Sequence, residues 1–242
     1  MRQEPVWSSS GSASMNYPMK PEQRNNDQQT EVRHVFLLSP ARCDGKRAQL
    51  LYSARARFEL AMKLRTPQGA PLGEIFSFLS GLYFRGKLAY ARAFAKPPAG
   101  ISGCHIITTN RGLLDPDEMF TLADLRRMGS CAIDAQDRRY HAPLKRDLRA
   151  LSKRCMEDCQ FVLLGSIASA KYVRILTEIL GPRLLFPGEF VGRGDMSRGG
   201  LMLRCVEENR ELTYLPVHSS TLHGKRPAKL EPKPGILSRV GR

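Results

Sequence analysis

The run Phe161–Gly165 (FVLLG) carries no polar side chain at any position. A strand with one wet face would alternate apolar with polar, so a run like this needs cover on both faces. That is the pattern of a parallel sheet packed between helices. His34–Leu38 (HVFLL) is a short buried-strand candidate ending in the turn signal Ser39-Pro40, and Cys104–Thr108 (CHIIT) reads as the next strand. Helical spacing fills the intervals. Lys46–Arg65 places Leu50, Leu51, Phe58, Met62 and Leu64 on one side and cations on the other. Leu82–Ala95, Met119–Met128, Leu144–Cys159 and Ser169–Leu180 also read as helices, the last stopped by Gly181-Pro182. Leu184–Phe186, Leu201–Val206 and Leu212–Val217 read as further strands, the last two pairing as a hairpin across Glu207–Glu211. Strands separated by helices predict an α/β fold, a three-layer domain with a mixed, largely parallel sheet.

The domain is expected over residues 34–222, with a disordered tail at 1–33 and a basic extension at 223–242. The first tail is rich in Ser, Asn, Gln and Pro and has too little apolar surface to offset its ordering entropy. The second is punctuated by proline and sets Lys225, Arg226, Lys229, Lys233, Arg239 and Arg242 against Glu231 alone. No apolar run reaches the roughly 20 residues that span a bilayer, and no secretory leader pattern opens the chain, so no membrane partner and a cytoplasmic location are expected.

Charge narrows the partner. The formal net charge is +15, and the cations and anions through Arg33 cancel, so the whole excess falls on His34–Arg242. Such a surface concentrates polyanions and releases their counterions on binding. Nucleic acid is the partner expected: duplex, bubble or single-stranded DNA, with RNA also open. The six cysteines lack paired zinc-ligand spacing, so neither a metal site nor a cofactor is expected, and reduced thiols are.

Loops at the carboxyl ends of strands form the working crevice of open α/β sheets. Three such loops stand out here. Ser39, Arg42, Asp44 and Lys46 follow the first strand, either as a phosphate cradle or as a turn with an Asp near a helix start. Asn110 and Arg111 follow the second, able to bond a base edge or a phosphate, while Asp117 and Glu118 are expected to cap the next helix. The glycine-rich Phe190–Gly200 carries Arg193 and Arg198 for phosphate and Asp195 as an acid or base. A dinucleotide fingerprint is not expected there, because the segment reads as leading into a strand. His218 is a further acid–base candidate, and Tyr140, between Arg139 and His141, is a candidate for stacking on a base. Lys225 and Arg226 would add phosphate contacts.

Five of these stretches occur in the order found in the YaaA family of peroxide-stress proteins, which the chain resembles. They are LLSPAR (Leu37–Arg42), LSGLY (Leu79–Tyr83), GLLDPDE (Gly112–Glu118), LLGSIASAKY (Leu163–Tyr172) and RGDMSRGGLMLR (Arg193–Arg204). Arg42 stands where the family has lysine, and LSGLY is separated from the Leu-Asp-Pro segment. The resemblance implies an α/β DNA-binding protein that limits oxidative DNA damage. More distantly it implies kinship with uracil-DNA-glycosylase-like proteins. Three functions are therefore weighed: DNA binding; hydrolysis of an N-glycosidic bond by a glycosylase-like enzyme using Asp44 or Asp195; and a nucleotide or sugar-phosphate enzyme built on the same cationic loops.

Overall fold

The computed structural model describes residues 1, 32–168, 170–219, 227, 228 and 230, and the body considered below lies within Val32–Arg242. The expectations for most of both tails, including Lys225 and Arg226, lie outside the described residues.

In chain order the elements are β1 (His34–Leu38), α1 (Lys46–Tyr52), α2 (Glu59–Lys63), β2 (Ala70–Pro71), α3 (Leu72–Ser80), α4 (Leu82–Phe94), β3 (Cys104–Ile107), β4 (Leu113–Leu114), β5 (Met119–Phe120), α5 (Leu122–Gly129), α6 (Arg138–Arg154), β6 (Gln160–Leu164), α7 (Ala170–Leu180), β7 (Leu184–Pro187), α8 (Asp195–Glu207) and β8 (Tyr214–Pro216). Six strands form one sheet in the order β4-β3-β1-β6-β7-β8. The four central strands run parallel, with Phe36 opposite Cys104 on one side and Val162 on the other, while β4 and β8 run antiparallel at the edges. The fold is α/β with a mixed, mostly parallel sheet and helices on both faces. No helix among the described residues is long and apolar enough to cross a membrane.

Strand alternation divides the core in two. Phe36, Leu38, Ile106, Val162, Leu164 and Leu185 pack beneath α3, α4 and α8. Val35, Leu37, Phe161, Leu163, Leu184 and Phe186 pack beneath α6 and α7 with Leu144, Leu148, Ile175 and Leu176. Both faces of β1 and β6 are therefore dry, which is why they carry the apolar runs Val35–Leu38 and Phe161–Leu164.

Several expectations are corrected. Leu201–Val206 is helix, not strand: its buried residues Leu201, Met202 and Cys205 follow Gly199 at helical spacing, and a six-residue segment with only Arg204 polar is ambiguous between the two periods. The glycine-rich segment therefore leads into a helix, so a following strand is no argument against a nucleotide fingerprint. The fingerprint's third glycine is still missing, since Ser197 stands there. β8 pairs with β7 rather than with residues 201–206.

Lys46–Arg65 breaks into α1 and α2. Arg57 and Arg65 donate to the carbonyls of Ala54 and Ala56, each at 2.8 Å, so these arginines satisfy the backbone freed by the break. Met119–Phe120 is strand. α5 starts only after Thr121, whose hydroxyl accepts from the Asp124 N–H while the Asp124 carboxylate accepts from the Thr121 N–H. The capping role expected of Asp117 and Glu118 goes to Asp124, and those two pair with Arg92 and Arg111.

α6 begins earlier than expected, capped by Asp137, and ends at Arg154, so Cys155 and Cys159 lie beyond the helix that their spacing suggests they share. This start places Tyr140 in the core at 0% exposure, where it cannot stack on a base.

α4 and α8 cross at a pair of glycines. A Cβ on Gly199 would lie 2.7 Å from the Leu82 carbonyl oxygen and 2.8 Å from the Tyr83 Cα, and one on Gly86 would lie 2.6 Å from the Gly199 oxygen. Glycine to alanine inside a helix ordinarily gains up to about 1 kcal/mol. Here the obstacle is backbone, so Gly199→Ala is expected to cost roughly 1–3 kcal/mol in urea unfolding. A stabilised variant would mean the helices do not approach this closely.

Candidate functional site

β1 sends its chain toward β3 on one side, and β6 sends its chain toward β7 on the other, so the topological switch of the sheet lies between β1 and β6. A crevice at the carboxyl ends of such strands is the place where open α/β sheets hold ligands. Ser39 leaves β1 here and Gly165 leaves β6. A Cβ on Gly165 would meet the Ser39 Oγ at 3.0 Å and the Tyr172 hydroxyl at 3.2 Å, so only glycine lets these groups converge.

The centre of the cluster is Lys87. α4 runs away from the carboxyl end of the sheet, and its buried positions Tyr83, Phe84, Lys87, Tyr90, Ala91 and Phe94 form a single helical stripe. Lys87 sits in the middle of that stripe at 1% exposure. Its Nζ lies 2.9 Å from both the main-chain oxygen and the Oγ of Ser39, and over the rings of Tyr83 (4.4 Å) and Phe84 (5.0 Å). Burial lowers its pKa to about 7, opposed by the field of Asp195 and reinforced by that of Arg198.

Three further groups close the site. Tyr172, from α7, donates to the Ser166 carbonyl oxygen at 3.0 Å and accepts from the Ser166 N–H at 3.1 Å, and burial raises its pKa. Arg198, on the first turns of α8, donates through Nε and Nη2 to the Phe190 carbonyl oxygen and faces Asp195 at 3.6 Å. Tyr83 is 6% exposed, and its hydroxyl faces Arg198 while its own proton has no acceptor among the described residues. Burial pushes its pKa up, and Arg198 draws it down.

Beside this cluster a cavity of about 490 Å³ opens at the carboxyl ends of β1 and β3. Its wall includes Ala41, Arg42, Cys43, Asp44, Thr109, the end of α5 from Met128 to Ser130, Ile133 and Lys171. That volume is in the range of small-molecule sites. Arg42 and Asp44 pair through two bonds of 3.2 Å, and the bond from Arg42 holds the Asp44 carboxyl below its usual range. Burial pushes the Cys43 thiol up to about 12, so it is a neutral wall and not a nucleophile at neutral pH. Ser39 lies two residues before Ala41, and Tyr172 directly follows Lys171, so cavity and cluster adjoin.

The structure brings Ser39, Asp195 and Arg198 to the cluster and Arg42 and Asp44 to the cavity. Lys46 is exposed at the start of α1. Asn110 donates to the Arg127 carbonyl oxygen, and Arg111 faces Glu118 and Asp124 while lying over the Phe120 ring, so both are engaged in holding α5. Arg193 bonds Glu189, Ser197 and Ala228 beside a smaller cavity of about 280 Å³. His218 is exposed in the 3-10 turn after β8, which runs antiparallel to β7. That puts it at the amino end of the parallel strands, away from the crevice.

Lys87, Tyr83, Tyr172 and Lys171 are site residues that sequence reasoning misses. A signal for Lys87 is present: a lysine on the apolar stripe of a helix, where burial without a partner is costly. Among the described residues no group of three or more His, Cys, Asp or Glu side chains could hold a metal ion. The chain matches no protein-family model, no curated protein and no solved structure.

Proposed function

We propose that this protein binds nucleic acid, seating one nucleotide unit in the cavity beside Asp44 and carrying the adjoining phosphates along α6. The observation that supports this best is the cationic stripe on that helix. Arg138, Arg146, Arg149 and Lys153 recur at helical spacing on its exposed side, over about 22 Å at 1.5 Å per residue. The stripe starts five residues after Ile133, which lines the cavity. Arg146 shares its charge with Asp147, whereas Arg138, Arg149 and Lys153 have no ion pair among the described residues. A row of exposed cations is best matched by a row of phosphates, and the +15 balance adds long-range attraction. At the cavity itself, Arg42 and Lys171 supply charge and Asp44 a fixed acceptor for a base edge.

The test is fluorescence anisotropy with duplex, bubble and single-stranded DNA and a mononucleotide at stepped salt. Polynucleotide affinity should fall steeply with salt, and Arg42→Ala with Lys171→Ala should weaken it at least about tenfold. If the mononucleotide binds as tightly as the polymers, the cavity serves a small-molecule enzyme and the stripe has another purpose.

A further inference from the structure

Lys87 is the residue that nucleic-acid binding leaves unexplained. An apolar side chain of the same length would fill its place on the α4 stripe without the cost of burying an amine. Among the described residues no carboxylate lies within ion-pairing distance of it. Asp195, the acid whose field reaches it, has a side chain 68% exposed and faces Arg198 at 3.6 Å.

The geometry sets the Lys87 amine directly against the Ser39 hydroxyl, and burial brings its deprotonation to about 7. Nζ donates to the Ser39 carbonyl oxygen and to the Ser39 Oγ, both across 2.9 Å, so loss of one proton leaves the carbonyl bond in place and turns a lone pair toward Oγ. The two oxygens and two ring faces hold the protonated form below about 7, while burial and the like charge of Arg198 release the proton above it.

We propose that Ser39 and Lys87 form a nucleophile–base pair that cleaves a carboxylic ester bearing an anionic group. Ser39 Oγ bonds to the ester carbonyl carbon while its proton passes to the Lys87 amine. The adduct collapses with cleavage of the ester C–O bond, and the Lys87 ammonium returns the proton to the departing alcohol. Water then attacks the acyl-serine and gives a proton to Lys87, which passes it back to Ser39 Oγ as the acid leaves. The sum is ester plus water to acid plus alcohol. Arg198, already oriented by its two bonds to the Phe190 oxygen, holds the anionic group. The Tyr83 hydroxyl, buried and with its proton free of any acceptor among the described residues, is the remaining donor for the developing oxyanion. The proposal does not depend on nucleic-acid binding.

The full-length protein is treated with an alkyl fluorophosphonate at several pH values between 6 and 9, and adducts are located by peptide mass spectrometry. Attack by Ser39 on phosphorus expels fluoride, so the expected result is a single adduct on Ser39 whose rate climbs as the pH passes about 7. Lys87→Met and Lys87→Arg should each slow labelling by roughly 100-fold or more, with circular dichroism confirming a native fold. Ser39→Ala should give no adduct, and p-nitrophenyl ester turnover should fall in parallel. An unlabelled wild type, labelling that survives Ser39→Ala, or equal labelling of Lys87→Met would each overturn the assignment.

Discussion

Lys87→Met is expected to make the protein more stable at pH 6, by roughly 2–4 kcal/mol, and this difference should largely vanish by about pH 9. The folded protein holds Lys87 at about 7 against an ordinary 10.5. A shift of that size opposes folding by about 5 kcal/mol wherever the amine is protonated in both states, at 1.36 kcal/mol per unit. The sign follows from the direction. Because folding lowers this pKa, the cost is complete below about 7, diminishes as the pH rises toward 10.5, and is gone above it.

Methionine removes that cost but strands the carbonyl and hydroxyl oxygens of Ser39, which returns about 1–3 kcal/mol. The difference between wild type and variant isolates this group from the buried thiols and phenols, whose raised pKa values weaken the fold on the alkaline side. Tyr83 and Tyr172, both pushed up by burial, remain neutral over the range used. Urea unfolding at pH 6, 7.5 and 9 reads the effect directly. A variant less stable than wild type at pH 6 would show that the buried amine is held as a structural cation, and the nucleophile–base proposal would fall with it.

The triple variant Arg138→Ala, Arg149→Ala, Lys153→Ala should weaken binding to duplex DNA by roughly 10- to 100-fold at low salt. It should also flatten the dependence of log K on log salt by about two to three units. Each phosphate neutralised releases condensed counterions and contributes about 0.9 to that slope for duplex. All three cations are exposed on α6, so their removal should alter unfolding by less than about 0.5 kcal/mol. Thermal denaturation of the variant checks this. An unchanged salt slope would move the polyanion surface away from α6, leaving the cavity to be tested separately through Arg42 and Lys171.

Much of the fold is legible in the order of the amino acids. Phe161–Gly165 and Val35–Leu38 identify themselves as buried strands by unbroken apolar runs, while the buried His34 beside the second run is tolerated because it meets the Phe94 carbonyl oxygen and Glu211. α4 and α7 are legible from apolar periodicity, and the end of α7 from Gly181. Misreadings arise where local pattern and tertiary partner disagree. Leu201–Val206 has too few residues to distinguish periods, and the Gly199-Gly200 pair speaks against a helix until Leu82 and Tyr83 are seen pressed against Gly199. Arg57 and Arg65 look like decoration of one long helix, whereas they cap its break.

The candidate site divides in the same way. Ser39, Arg42, Asp44, Asp195 and Arg198 stand out because they flank strands or glycines, which chain order alone reveals. Lys87 looks like one more surface cation on α4. Composition, charge excess, strand character and the loops at strand ends were determined by the sequence itself, since each depends on neighbours along the chain. The meeting of Lys87 with Ser39, 48 residues apart, was decided only by the tertiary structure. It depends on which way the α4 stripe faces, on the switch between β1 and β6, and on glycines at 86, 165 and 199 that let the backbones close. A buried amine becomes chemically distinctive only when solvent is gone, and it is the packing of the whole domain that removes it.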